Sequence, residues 1–187
     1  TTYMFSPKVL DRANVLEFDV YPAQRYMGKD FNLNDFSDNL DLEYLYDPLS
    51  DLDIRDMSID DLMNQFDDEF KIILAEEIDK FQKILRDTGF EFGFRVINEI
   101  VRFMLVAWKY EGKPSDFSNW ERYFDAQIKQ KILPKLHGSQ KVIEKSIIRL
   151  KGACLRESRV IKYPSSYEKL NEMLNILNKQ RYVSFIN

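Results

Sequence analysis

Two arginines stand where a cation invites a partner. Arg12 closes a short helical stretch, with Ser6 as N-cap and Pro7 at the first helical position, and directly precedes a strand-like run. A helix C-terminus favours a cation by about 0.3–1 kcal/mol, which is reason enough for an arginine there. The alternative is an arginine finger that reaches a nucleotide on a neighbouring subunit and stabilises the charge of phosphoryl transfer. Arg95 falls in the first turn of an apolar-periodic stretch over 94–110, where the same dipole disfavours a cation, so an anion is expected beside it. Glu91 or Glu99 can supply that anion locally; a nucleotide phosphate is the sharper possibility.

Other candidates are weaker. His137 lies in Leu133–Ser139, which reads as a helix-to-helix turn, and without an acidic or Ser partner at helical spacing it is expected to be a hydrogen-bonding turn residue. Lys135, Lys141, Lys145, Arg149, Lys151, Arg156 and Arg159 form a basic run that is either a solvated face or a surface for DNA phosphates. Asp51, Asp53 and Arg55 invite comparison with a calcium loop, but the turn glycine and the closing glutamate are missing. Cys154 and His137 are the single Cys and His, too few for a zinc cage, an internal disulfide or a His-dependent triad. No nucleophile elbow, phosphate-cradling glycine loop or paired His ligands occur, so this chain alone is expected to catalyse nothing.

The elements that must position these residues follow from periodicity. Asn14 to Val20 alternates apolar and polar residues up to Pro22 and predicts a strand with one buried face. Residues 24–57, rich in Asp, Asn and Ser, read as a long irregular insertion. From Ser58 the pattern turns helical: Phe70, Ile73, Leu74, Ile78, Phe81, Ile84 and Leu85 recur at three- and four-residue spacing until Thr88 and Gly89. A second helix is expected over Phe94–Tyr110, stopped by Gly112 and Pro114, and a third over Ser118–Leu133, ended by Pro134. A fourth follows Ser139 with Val142, Ile143, Ile147, Leu150 and Cys154 inward; a fifth opens on a capping box, Ser165 to Glu168. Tyr182 to Ile186 predicts a short edge strand.

The chain has 187 residues with a net charge of −4, enough for one core. Residues 1–90 carry 9 Lys or Arg against 21 Asp or Glu, whereas 91–187 carry 18 against 10. A basic C-terminal half can face nucleic acid, the acidic half or a neighbouring subunit. No apolar run reaches about 18 residues and no secretory leader pattern opens the sequence. The first residue is Thr1 and a lone strand cannot be stable, so the chain is expected to be a piece of a longer protein.

Several segments taken together resemble a known family. Thr1–Phe18 resembles the segment after the sensor 1 strand in AAA+ NTPases of the McrB-like group, motor subunits of modification-dependent restriction systems. Phe92-Gly93-Phe94-Arg95, with the residues to Ile100, resembles the start of their lid helix; Lys131–Ser139, Tyr163–Leu170 and Val183–Ile186 are similar to later landmarks. The resemblance implies a mainly α fold: residues 1–23 as the end of an AAA+ α/β subdomain (one helix and strand), 24–90 as an acidic insertion and long helix, and 91–187 as an all-helical lid with C-terminal helices. It implies that Arg12 is the catalytic intersubunit arginine finger and Arg95 the nucleotide-binding sensor 2 arginine. GTP or ATP with Mg2+ would be bound mainly by Walker motifs preceding Thr1. The implied partners are a homo-oligomeric ring, expected to be hexameric, a McrC-type nuclease and DNA, in the cytoplasm and without a membrane. Rival expectations are a basic nucleic-acid-binding module, a non-catalytic interaction domain and a MoxR-like AAA+ chaperone motor.

Overall fold

In the computed structural model the described residues are 7–10, 12–17, 57–86, 88–114 and 117–185. They form a mainly helical fold, and among them no helix is long and apolar enough to cross a membrane. Ser6, the residues 18–56 that hold the proposed insertion and calcium-loop comparison, and Ile186 lie outside the described residues.

Helix α1 (Pro7–Leu10) is short, and buried Leu10 seats it near the 3-10 turn Leu133–Lys135. The strand expected from Asn14 is not formed over the described residues 14–17. Val15 N–H donates to Gln130 C=O at 3.1 Å, one bond where a strand needs a ladder, and Leu16 is exposed.

Helices α2 (Ile59–Met63) and α3 (Asp68–Leu85) replace the single run read from Ser58 onward. Each has its own N-terminal acceptor: Ser58 and Asp61 form a reciprocal capping box, and Asp67 accepts from Phe70 N–H at 2.8 Å. On α3, Phe70, Leu74, Ile78, Phe81 and Leu85 face inward, as their spacing predicts. Helix α4 spans Phe94–Tyr110, the expected bounds, and Gly112 ends it at φ 83°, a conformation that costs glycine little.

The third predicted helix has a different construction. Regular α5 (Trp120–Gln127) gives way to a π-helical turn, Ile128–Ile132, and then to the 3-10 turn around Pro134. Pro134 has no N–H to return to the carbonyl of Gln130 four residues back, and Val15 N–H occupies that carbonyl instead. Proline here reshapes the helix end before stopping it.

Helix α6 (Gln140–Ala153) buries Ile143, Ile147 and Leu150, with Cys154 just beyond, whereas Val142 is 60% exposed, against expectation. Neighbouring helical positions differ by about 100°, so a face set by Ile143 and Ile147 turns Val142 outward. Helix α7 (Pro164–Gln180) starts at Pro164, which places Ser165 inside the helix, and the expected Ser165 capping box does not form.

His137 is in a strand, not a helix-to-helix turn: β1 (His137–Ser139) pairs antiparallel with β2 (Tyr182–Ser184), with Gly138 opposite Val183. The expected edge strand therefore exists over Tyr182–Ser184, and residues 91–185 are not wholly helical. One apolar core runs from Leu62 to Phe185, with Phe81, Phe124 and Tyr163 in mutual ring contact at its centre.

Candidate functional site

The π turn lies between the neighbourhoods of the two arginines. Lys129 Nζ lies 3.5 Å from Glu17, on the segment that follows Arg12, and Glu17 also pairs with the largely buried Lys169. Lys131, two residues on, is 1% exposed and pairs with Glu99 of α4, one helical turn beyond Arg95. Arg12 and Arg95 share no hydrogen bond or ion pair. The same turn is braced against the segment of one and the helix of the other.

Arg12 is exposed and follows α1, with its N–H donating to Val9 C=O at 3.0 Å. Its segment is tied before it by Leu10 and after it by Val15 and Glu17, so the backbone is held while the guanidinium projects outward.

Arg95 is exposed in the first turn of the 17-residue α4, whose N-cap Gly93 offers no side-chain acceptor. Neither local carboxylate meets it: Glu91 accepts from Gly89 N–H at 3.3 Å, and Glu99 faces Lys131. Among the described residues Arg95 has no ion-pair partner. Phe94 beside it is 86% exposed, and the loop before it is fixed by buried Phe92, whose C=O accepts from Gln82 Nε2 at 3.1 Å. The other long helices differ in this respect. Asp67 caps α3, the carboxylate of Asp125 accepts from Ser165 and Ser166 N–H at the start of α7, and Gln140 N–H of α6 donates to Arg181 C=O. A long helix that opens with spare N–H groups and an unneutralised arginine is a place for an anion.

His137 Nδ1 lies 2.9 Å from Lys135 C=O and its ring is edge-on to Phe90, a hydrogen-bonded residue of the sheet end. The basic run divides. Lys135 is buried, Lys151 donates to Asn171, and Arg156 pairs with Glu121; Lys141, Lys145 and Arg149 stand exposed at four-residue spacing on α6, without an ion pair among the described residues.

Two features escaped the sequence reading. Asp125, 2% exposed, caps α7 from another helix. Glu77 accepts from Lys162 Nζ at 2.6 Å and from Tyr163 OH at 2.9 Å. Burial would raise the Glu77 carboxyl, but the hydrogen bond and charge of Lys162, aided by Lys80 and Tyr163, hold it below its ordinary value. Burial and Glu77 push the Tyr163 hydroxyl well up, and burial pushes the Cys154 thiol up to about 12, which disfavours its thiolate. These partners lie 40 to 86 residues apart, beyond any local spacing signal.

A 510 Å³ cleft between α5, the π turn and the start of α7 is lined by Glu121, Arg122, Asp125, Lys129 and Lys162 among others. On that side Asp125 already accepts from the first N–H groups of α7. Among the described residues no cluster of His, Cys, Asp or Glu is arranged to hold a metal.

Residues 49–182 match the family described as a domain of unknown function, DUF8727. The chain belongs to that family. Neither a curated protein nor a solved structure matches it. The DUF8727 match takes in Arg95, the π turn, α6 and α7 and stops at Tyr182 in β2; Arg12 lies ahead of it.

Proposed function

We propose that this DUF8727 chain is the C-terminal part of a ring-forming NTP-hydrolysing motor of an McrBC-type restriction system acting on modified DNA. In this reading α4 brings Arg95 onto the nucleotide phosphates of its own subunit. Arg12 completes the site of the next subunit. The observation that carries the reading is the exposed Arg95 in an uncapped first turn, with Glu91 and Glu99 both engaged elsewhere. GTP or ATP and its Mg2+ are then held mainly by Walker residues N-terminal to Thr1, and a McrC-type nuclease is the partner that hydrolysis controls.

The test uses the full-length parent, whose reading frame must hold a G-x-x-x-x-G-K-[ST] loop before Thr1. There Arg95→Ala is expected to lower NTP turnover about 10²-fold, the size of effect seen when one donor to developing charge is lost. Unchanged turnover, or a parent without that loop, overturns the reading.

The bare row of Lys141, Lys145 and Arg149 favours a second role, contact with DNA phosphates. Such cations are about 6 Å apart along one helix face. Changing all three to Gln is expected to weaken DNA binding uniformly across sequences and reduce the salt slope by about 2 to 3. An unchanged salt dependence in a fluorescence anisotropy titration removes this role.

A further inference from the structure

Lys131 is the buried charge that the reading above leaves without a task. It is 1% exposed within the π turn, and a buried cation is tolerated only beside a partner, here Glu99. Glu99 is also the carboxylate one helical turn from Arg95, within the i,i+4 reach at which Arg and Glu pair on a helix surface. The nearer upstream carboxylate, Glu91, accepts from Gly89 N–H. Arg95 is therefore open to an outside anion because Lys131 holds Glu99.

We propose that Lys131 is a positioning residue: by engaging Glu99 it keeps the Arg95 guanidinium unneutralised, so that the first turn of α4 presents a net positive charge to a polyphosphate. The inference rests on the reading of Arg95 as a phosphate contact and adds the device that keeps it available. The π turn belongs to that device. It ends just before Pro134, its Gln130 C=O accepts from Val15 N–H, and it carries Lys131 into the core beside Ile132. Lys129 of the same turn meets Glu17 on the Arg12 segment, so one turn ties down a carboxylate near each arginine.

The experiment titrates inorganic tripolyphosphate into the full-length parent by calorimetry for wild type, Arg95→Ala, Lys131→Met and Lys131→Met with Glu99→Gln. Lys131→Met is expected to weaken binding about 5-fold, since one uncompensated charge is left within a helical turn of the ligand. The double variant, with neither charge, is expected to return to within about 2-fold of wild type. Because Glu99→Gln also removes a half-buried carboxylate left unpaired, thermal melts accompany the titrations, and a loss of binding that only follows a loss of Tm marks a structural role for Lys131. The second readout is ligand-free: adding Glu99→Gln is expected to move the Arg95 Nε resonance in the Lys131→Met background and to leave it unchanged in the wild-type background. Lys131→Gln replaces the Met variant should the latter not fold. If binding depends on Arg95 but ignores Lys131→Met, the inference fails and the reading of Arg95 stands. If Arg95→Ala binds as well as wild type, that reading fails, and an Arg95 resonance blind to Glu99 in Lys131→Met overturns the positioning role on its own.

Discussion

On the motor reading proposed above, Arg12→Ala in the full-length protein is expected to lower NTP turnover by about 10³-fold or more, with nucleotide binding largely kept. The size follows from the chemistry: an arginine supplied in trans meets charge that grows on the transferring phosphoryl group, so its loss is felt in the transition state and little in the ground state. Arg12 is exposed, while Leu10, Val15 and Glu17 fix the backbone on both sides of it, so the side chain projects from an anchored base. Steady-state turnover and equilibrium binding of a fluorescent nucleotide measure the two halves. A mixing experiment separates the in-trans role from any other. Arg12→Ala subunits combined with subunits inactivated in their own Walker loop should regain turnover that neither has alone. Wild-type turnover in Arg12→Ala rings would end the finger assignment.

Asp125→Ala is expected to cost about 3 kcal/mol of stability without touching either arginine. Its side chain is buried and its two carboxylate oxygens accept from the N–H groups of Ser165 and Ser166 at 2.8 and 2.9 Å. Its carbonyl also accepts from Ser166 Oγ at 3.1 Å. Alanine leaves two donors of the first turn of α7 without their acceptor, Ser166 N–H in the interior and Ser165 N–H beside the cleft, and both bonds are charge-assisted. For a chain of this size that loss lowers Tm by about 6–12 °C. Asp125→Asn keeps an acceptor oxygen and should recover part of the difference in urea denaturation. A midpoint for Asp125→Ala within error of wild type would show that α7 finds another cap.

Much of the secondary structure was legible. Helix α4 matches its predicted bounds because Val96, Ile100, Val101, Met104 and Leu105 repeat on one face and Gly112 stops them. The same local logic placed Arg95 in a first turn and suggested an anion beside it. It could not say whether Glu91, Glu99 or something outside the chain is that anion, because side chains at helical spacing are neighbours whether or not they pair. That choice was made by Lys131, 32 positions further on.

The misreadings share a cause. Ser165 to Glu168 spells a capping box, but Asp125 arrives from another helix with a better-placed acceptor and Pro164 moves the helix start forward. Val142 fits an apolar stripe by type, but the helix face was settled by what α3 and α7 offer to Ile143 and Ile147. His137 to Ser139 carries too little pattern to announce a strand, and only Tyr182 to Ser184, folded back alongside, makes it one.

The amino-acid order by itself determined where most of the helices lie, most of their inward residues, the division of charge between the halves and the candidacy of Arg12 and Arg95. Periodicity, caps and breakers act over one or two turns, and those can be read along the chain. The tertiary structure alone decided that Glu99 belongs to Lys131, that Asp125 caps α7, that Gln130 receives Val15, and that Lys141, Lys145 and Arg149 make no ion pair among the described residues. Each of those outcomes is a competition among partners distant in sequence, and only packing brings the competitors within reach of one another.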